Sequence, residues 1–243
     1  MPHEIKYFGR SDIGLKRPNN EDTFRIDASR GYCLVADGMG GAAAGEIASY
    51  MFSETTRKIF QNTRARSPEE SIECIQNIFR SANENMIHHI RKNPAHRGMG
   101  CTAELIVFSD KNFFLGHIGD SRTYRFRNGS AKQLTLDHTL IQERIDRGML
   151  SRADARKHPL RNIIQRAVGI NGQIALDIVR GIIYPEDQFL LCSDGLTDMV
   201  EDTLIERTLF SDLTLEQKAD TLIDMALSAG GNDNVTVVLV EIT

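Results

Sequence analysis

Residues 33–48 read Cys33-Leu34-Val35-Ala36-Asp37-Gly38-Met39-Gly40-Gly41-Ala42-Ala43-Ala44-Gly45-Glu46-Ile47-Ala48. The apolar run before Asp37 predicts a buried strand, the glycines a bend, and the alanine-rich stretch the start of a helix. Asp-Gly is a common hairpin pair, but no returning strand follows it here. The order of strand, acid and glycine recurs once, and a third acid stands between a helix cap and a terminal strand. Phe189-Leu190-Leu191-Cys192-Ser193 leads to Asp194-Gly195, and Gly230-Gly231-Asn232-Asp233-Asn234 precedes the run Val235-Thr236-Val237-Val238-Leu239-Val240. A rigid strand fixes the carboxylate at its end. Two such charges about 4 Å apart repel by about 4 kcal/mol at an effective dielectric near 20. Hard divalent cations relieve that repulsion, and oxygen ligands select Mg²⁺ or Mn²⁺. A metal-dependent hydrolase is the expectation.

Elsewhere the sequence predicts helices packed on antiparallel strands. Ser67-Pro68-Glu69-Glu70 opens a helix to Ile90, with Ile72, Ile75, Phe79, Ala82, Met86 and Ile90 on one face. A second helix starts after Thr214, whose capping-box partner is Gln217, and stops at Gly230-Gly231. Thr102–Phe108 and Phe113–Ile118 read as strands, and Asn128-Gly129 joins Thr123–Arg127 to Ala131–Leu134 as a hairpin. Helices at both ends with hairpin-linked strands between them give an α+β fold of mainly antiparallel sheets covered by helices. Nothing marks a linker or a repeat, so 1–243 is read as a single domain. The charged stretch 137–162, with Glu143, Arg144, Asp146, Arg147, Arg152, Asp154, Arg156 and Lys157, reads as a surface excursion or as a mobile flap beside the site.

Composition sets the outer bounds. The chain has 243 residues, 41% hydrophobic and 26% charged, with a net charge of −4. That balance argues against nucleic-acid or membrane-surface binding, though a local cation can still receive phosphate. No apolar stretch reaches the roughly 18 residues of a membrane span, and residues 1–6 lack a signal-peptide core. A cytoplasmic monomer is the expectation. The four cysteines lack Cys-x-x-Cys spacing and read as buried hydrophobes.

Near the start stands Ser11-Asp12-Ile13-Gly14-Leu15-Lys16-Arg17-Pro18-Asn19-Asn20-Glu21-Asp22. By composition it is a polar loop. Beside a metal cluster, Arg17 is suited to clamp phosphate, and Glu21 and Asp22 to hold metal-bound water. Gly119-Asp120-Ser121-Arg122 is either an acid on a strand bend or a further metal contact.

Taken together, Arg17–Asp22, Val35–Gly41, Gly119–Arg122, Ser193–Gly195 and Gly231–Thr236 resemble, in order and over about Tyr7 to Ile242, the motif set of the metal-dependent protein phosphatase 2C (PPM) family, in particular its stand-alone bacterial members. The resemblance implies a four-layer α-β-β-α sandwich and a binuclear Mg²⁺ or Mn²⁺ centre. It implies that Asp37 bridges both ions, the Gly38 carbonyl binds one, and Asp194 and Asp233 bind the other. Glu21 and Asp22 contact metal-bound water, Arg17 holds the substrate phosphate, Asp120 serves a weaker third ion, and 137–162 is the flap. The implied reaction is hydrolysis of phosphoserine and phosphothreonine in proteins. A water or hydroxide bridging the two ions attacks in line, without a covalent phosphoenzyme, and opposes a cognate Ser/Thr kinase. Two positions depart from the family. Met39 stands where many eukaryotic relatives carry a histidine general acid, which leaves a metal-bound water as donor; bacterial relatives often share the methionine. Cys101 stands where threonine is usual.

Three rival readings are weighed. Cys74 and Arg80 have the Cys-x₅-Arg spacing of thiol phosphatases, but on an amphipathic helix in place of a phosphate-binding loop. A pseudophosphatase that only binds would have lost metal ligands, and none is lost. The same metal chemistry on a small phosphoester is the third.

Overall fold

The computed structural model describes residues 4–40, 44–63, 67–155 and 158–243, without the side chains of Arg152 and Ala153. Gly41, Ala42, Ala43, Arg156 and Lys157, all part of the sequence readings above, lie outside the described residues.

In chain order the strands are β1 (Ile5–Asp12), β2 (Asp22–Asp27), β3 (Tyr32–Met39), β4 (Gly100–Cys101), β5 (Ala103–Ser109), β6 (Asn112–Ile118), β7 (Arg122–Arg127), β8 (Ser130–Gln133), β9 (Asp177–Ile182), β10 (Gln188–Cys192) and β11 (Val235–Ile242). The helices are α1 (Gly45–Asn62), α2 (Pro68–Lys92), α3 (Leu140–Asp146), α4 (Arg152–Ala155), α5 (Asp194–Thr197), α6 (Asp202–Leu209) and α7 (Leu215–Ser228). One sheet runs β1-β11-β10-β7-β8; the other runs β2-β3-β5-β6-β9, with β4 paired to β3. All paired strands are antiparallel.

Alternation along each strand explains why the runs are apolar throughout. In β3, Leu34 and Ala36 pack under α1 and α2, while Cys33 and Val35 face the other sheet. In β11, Val235, Val237 and Leu239 pack under α6 and α7, while Val238, Val240 and Ile242 face β3 and its neighbours. Both faces of both sheets are covered, which makes the four-layer sandwich. Phe189 sits fully buried between the sheets, its ring 5.4 Å from that of Phe108 and 5.1 Å from that of Phe113.

The caps form where the sequence places them. Ser67 Oγ accepts from the Glu70 amide at 3.1 Å. At α7 the box is reciprocal, Gln217 N to Thr214 Oγ1 at 3.2 Å and Thr214 N to Gln217 Oε1 at 3.0 Å. Asn128 and Gly129 take φ of 50° and 70°, the left-handed pair that a two-residue hairpin needs. Outside the two predicted helices strands stand at both ends of the described residues, and β1, which the sequence reading did not assign, pairs with β11 from Ile5↔Ile242 to Asp12↔Val235. Gly9 and Arg10 interrupt the apolar pattern of β1, and Gly9 is required because a Cβ there would strike the Phe24 ring.

The Phe189→Ala variant is expected to lose about 3–5 kcal/mol of stability in urea denaturation, the range for a large aromatic removed from a close-packed core. A loss under about 1 kcal/mol would mean that the layer between the sheets is not close-packed there.

Candidate metal centre

Antiparallel pairing of β2 with β3 sets Asp22 directly opposite Asp37. Directly opposed residues share a face of the sheet, so two like charges sit side by side there. Asp194 opens α5 immediately after β10, and Asp233 lies two residues before β11, the neighbouring strand. Asp120 follows the bend at the end of β6. The strand ends thus bring together Asp37, Asp194, Asp233, Asp22 and Asp120. Asp37 feels the charges of Asp22, Asp194, Asp120 and Asp233, and Asp194 those of Asp120, Asp198, Asp233 and Asp22.

Burial, and then this mutual repulsion, holds the Asp37 and Asp194 carboxyls well above the usual carboxylate range. Asp22 is pushed up to about 6, chiefly by burial and against the hydrogen bonds it accepts. Asp120 is pushed up to about 7 by burial and by the charge of Asp137. Glu21 is raised by burial and by Glu46. Asp22, Asp37 and Asp194 keep some accessible surface, so the cluster is deep but open on one side.

One carboxylate oxygen each of Asp22, Asp120 and Asp194 is buried with no hydrogen-bond partner. Unpaired buried oxygens of this kind are costly and fit a cation that takes them as ligands. The backbone fits as well. A Cβ on Gly38 would collide with the Gly45 carbonyl, and one on Gly45 would collide with the Glu21 carboxylate and lie 2.8 Å from the Gly38 carbonyl oxygen. These two glycines therefore leave the Gly38 carbonyl open beside Glu21. Among the described residues no three His, Cys, Asp or Glu side chains are already drawn together as a set able to hold an ion.

Arg17 donates to Asp233 Oδ2 at 2.6 Å, and this hydrogen bond is the main cause of its raised pKa. The guanidinium therefore stands at the cluster, engaged with one of its acids. Asn234 ties the loop in place. Its Oδ1 accepts from Glu21 N at 2.8 Å, and its Nδ2 donates to the carbonyls of Ile13 and Asn19 at 2.9 and 3.0 Å. Ser193 Oγ donates to Asp22 Oδ2 at 2.8 Å and accepts from Thr236 N at 3.0 Å. Thr102 Oγ1 accepts from Asp37 N at 3.0 Å and pairs with Ser121 Oγ at 2.7 Å, linking the Asp37 and Asp120 strands. Sequence reasoning assigned no role to Ser193, Asn234, Thr102 or Asp198. The first two lie inside the motifs, but their work is done by contacts across more than a hundred residues.

The Protein phosphatase 2C family model matches residues 8–229. The chain belongs to the protein phosphatase 2C family. Its relatives include the serine/threonine phosphatase stp of Listeria monocytogenes serotype 4b, 38% identical over 96% of this chain and 94% of that protein. Among solved structures, the Mycobacterium tuberculosis serine/threonine phosphatase PstP/Ppp superposes with a TM-score of 0.91 at 35% identity, over 98% of each chain. A PstP catalytic domain in complex with two manganese ions superposes with a TM-score of 0.89 at 33% identity, again over 98% of each. As a phosphatase 2C it is a hydrolase of the protein-phosphatase class. Cys74, the cysteine-dependent alternative, lies buried on α2 with its thiol pushed up to about 11 by burial, far from a reactive thiolate. All four cysteines are free and buried.

The raised carboxylates carry a pH signature. A group whose pKa is higher in the fold than in the unfolded chain stabilises the fold fully below its unfolded value and ceases to do so as pH rises through its folded value. For Asp22 and Asp120 that window runs from about 4 up to about 6 and 7. In EDTA, thermal unfolding of the protein is therefore expected at a higher temperature at pH 5 than at pH 7.5. The Asp194→Asn variant, with one repelling charge fewer, should show a shallower slope over the same range; an identical slope would show that these charges do not interact.

Proposed function

We propose that the chain hydrolyses phosphoserine and phosphothreonine in proteins, with two divalent cations, Mg²⁺ or Mn²⁺, held by Asp37, the Gly38 carbonyl, Asp194 and Asp233. What carries this reading is the set of buried carboxylate oxygens without partners on Asp22, Asp120 and Asp194, in a chain of this family. When bound, the ions supply Lewis-acid charge and lower the pKa of water.

The remaining work falls to the chain itself. Arg17, released from Asp233, presents a planar fork that matches two phosphate oxygens. The same carboxylate cannot fully serve both an ion and Arg17, so occupancy of Asp233 by a cation would free the arginine for substrate. Glu21 and Asp22 orient water by accepting its hydrogen bonds, and Asp120 is the group suited to a third, weaker ion. No side chain of the cluster is placed as a nucleophile. Ser193 Oγ is engaged by Asp22 and Thr236 N, and burial raises the thiols of Cys33, Cys101 and Cys192. These observations support the reading that the family resemblance implies, attack by water in line with the leaving oxygen without a phosphoenzyme. Methionine at position 39 cannot donate a proton, so the leaving oxygen takes its proton from water. The partners are phosphorylated proteins and the Ser/Thr kinase system that modifies them. We place the activity in a monomer with residues 137–162 as the flap of a single domain, and assign it to the cytoplasm; among the described residues no helix is long and apolar enough to cross a membrane.

The decisive measurement is phosphate release from a phosphothreonine peptide with Mn²⁺. Wild type should turn over and stop in EDTA, and Asp37→Asn should lose at least about 1,000-fold in kcat. No turnover by wild type would favour a binding module, and faster turnover of metabolite phosphates than of phosphopeptides would favour a small phosphoester.

Arg17→Ala is expected to lower kcat/KM roughly 100-fold on phosphopeptide, with part of the loss in KM. Arg17→Lys should recover only a fraction, because a point charge lacks the fork. Full recovery by lysine would mean that charge alone matters.

A further inference from the structure

Between the two sheets, beneath residues 137–162, lies a polar network that the proposed chemistry does not use. Glu104 on β5, His117 on β6 and Thr123 on β7 are each fully buried. Both carboxylate oxygens of Glu104 are engaged. One is bonded to His117 Nδ1, and the other accepts from Thr123 Oγ1 at 2.6 Å. His117 Nε2 lies 2.9 Å from the carbonyl oxygen of Leu136. A carbonyl only accepts, so Nε2 carries a proton. An ionisable pair in so dry a place is costly unless every donor and acceptor is matched, and here each is.

The network leads to the root of the flap. The His117 ring packs 4.5 Å, centre to centre, from the ring of His138, two residues beyond Leu136. His138 and Gly119 are joined twice, His138 N to Gly119 O at 2.7 Å and Gly119 N to His138 Nδ1 at 3.1 Å. His138 Nε2 lies 3.2 Å from Asp177 Oδ2, and Asp177 also meets Arg166. The returning limb of the flap closes on the same residues, with Gln165 N donating to His138 O at 2.7 Å and Leu140 N to Ile163 O at 2.9 Å. Gly119 immediately precedes Asp120.

We propose that His117, held by Glu104, is a positioning residue that fixes the root of the flap segment against the Gly119–Asp120 bend. It touches neither the carboxylate cluster nor Arg17, and acts through Leu136 and His138. The effect on substrate selection rests on the phosphatase reading above; the effect on the flap root does not.

The test is amide hydrogen exchange with mass spectrometry on the whole chain, without added metal. His117→Phe keeps a ring and removes both hydrogen bonds, and should speed exchange about 10-fold or more at His138, Leu140 and Gln165 while leaving β11 and α7 protected. Glu104→Gln can still pair with Thr123 and with a neutral His117 that donates to Leu136, so it should stay within about twofold of wild type. Should the phenylalanine not fold, Asp177→Ala, at the partly exposed outer end, is expected to speed exchange at His138 and Gln165 about threefold. Unchanged exchange at the root, or an even rise across both sheets, would overturn the proposal. Kinetics then add a second readout. His117→Phe should raise KM on a phosphopeptide roughly 10-fold and leave kcat on p-nitrophenyl phosphate within about twofold, and equal losses on both substrates would overturn the substrate-selection part. Wild type inactive on every phosphoester would remove the phosphatase reading and leave the exchange result standing.

Discussion

The repulsion among carboxylates that the fold forces together is the constraint on which everything else depends. Asp22 and Asp37 stand opposite each other because β2 and β3 are in register, and Asp194 and Asp233 adjoin the neighbouring strands β10 and β11. Close-packed sheets do not yield to relieve a few kcal/mol of Coulomb energy at one edge. The strain is instead met by protonation, which the raised pKa of Asp22, Asp37 and Asp194 expresses, or by a counter-ion. An arginine meets part of it here, through Asp233. On the proposed reading a small hard cation would relieve this repulsion, and the surrounding hydrogen bonds hold Asp22 and the backbone of Asp37 and Glu21 in place.

Much of the supporting structure consists of side chains that bond to backbone. Asn234 satisfies an amide and two carbonyls of the N-terminal segment, and Ser193 links Asp22 to the Thr236 amide. These contacts give an irregular stretch, residues 13–21, the rigidity of a strand without its ladder. Glycines remove the last obstacles. Gly14 takes a φ of 78° where a Cβ would collide with the Asp233 carbonyl, so the segment carrying Arg17 can lie directly on the loop carrying Asp233.

Asp37, Asp194 and Asp233 were legible in the sequence because each adjoins an apolar run that reads as a strand, and strand ends hold side chains still, whereas Glu21 and Asp22 stand in what composition alone reads as a polar loop. The caps at Ser67 and Thr214 were legible because capping is local chemistry, complete within four residues. The hairpin at Asn128-Gly129 was legible for the same reason. What escaped depends on partners distant in sequence. β1 has no clear alternation of its own and becomes a strand by lying along β11. The buried Glu104–His117 pair reads as ordinary polarity inside two strands until the sheet sets the two residues side by side at positions 104 and 117. The engagement of Arg17 with Asp233 spans 216 positions, and no local pattern foretells it.

The pairing of β1 with β11 has a consequence for biogenesis. Arg17 is made 216 positions before Asp233, the acid it engages, and before the strand beside that acid. Contacts this remote in the chain form slowly, since the loop entropy is lost before the contact is gained. A nascent chain that stops short of position 233 lacks one carboxylate of the cluster and the partner strand of β1. The carboxylate cluster is thus complete only once position 233 has been made, and it closes through contacts between the two most distant parts of the chain.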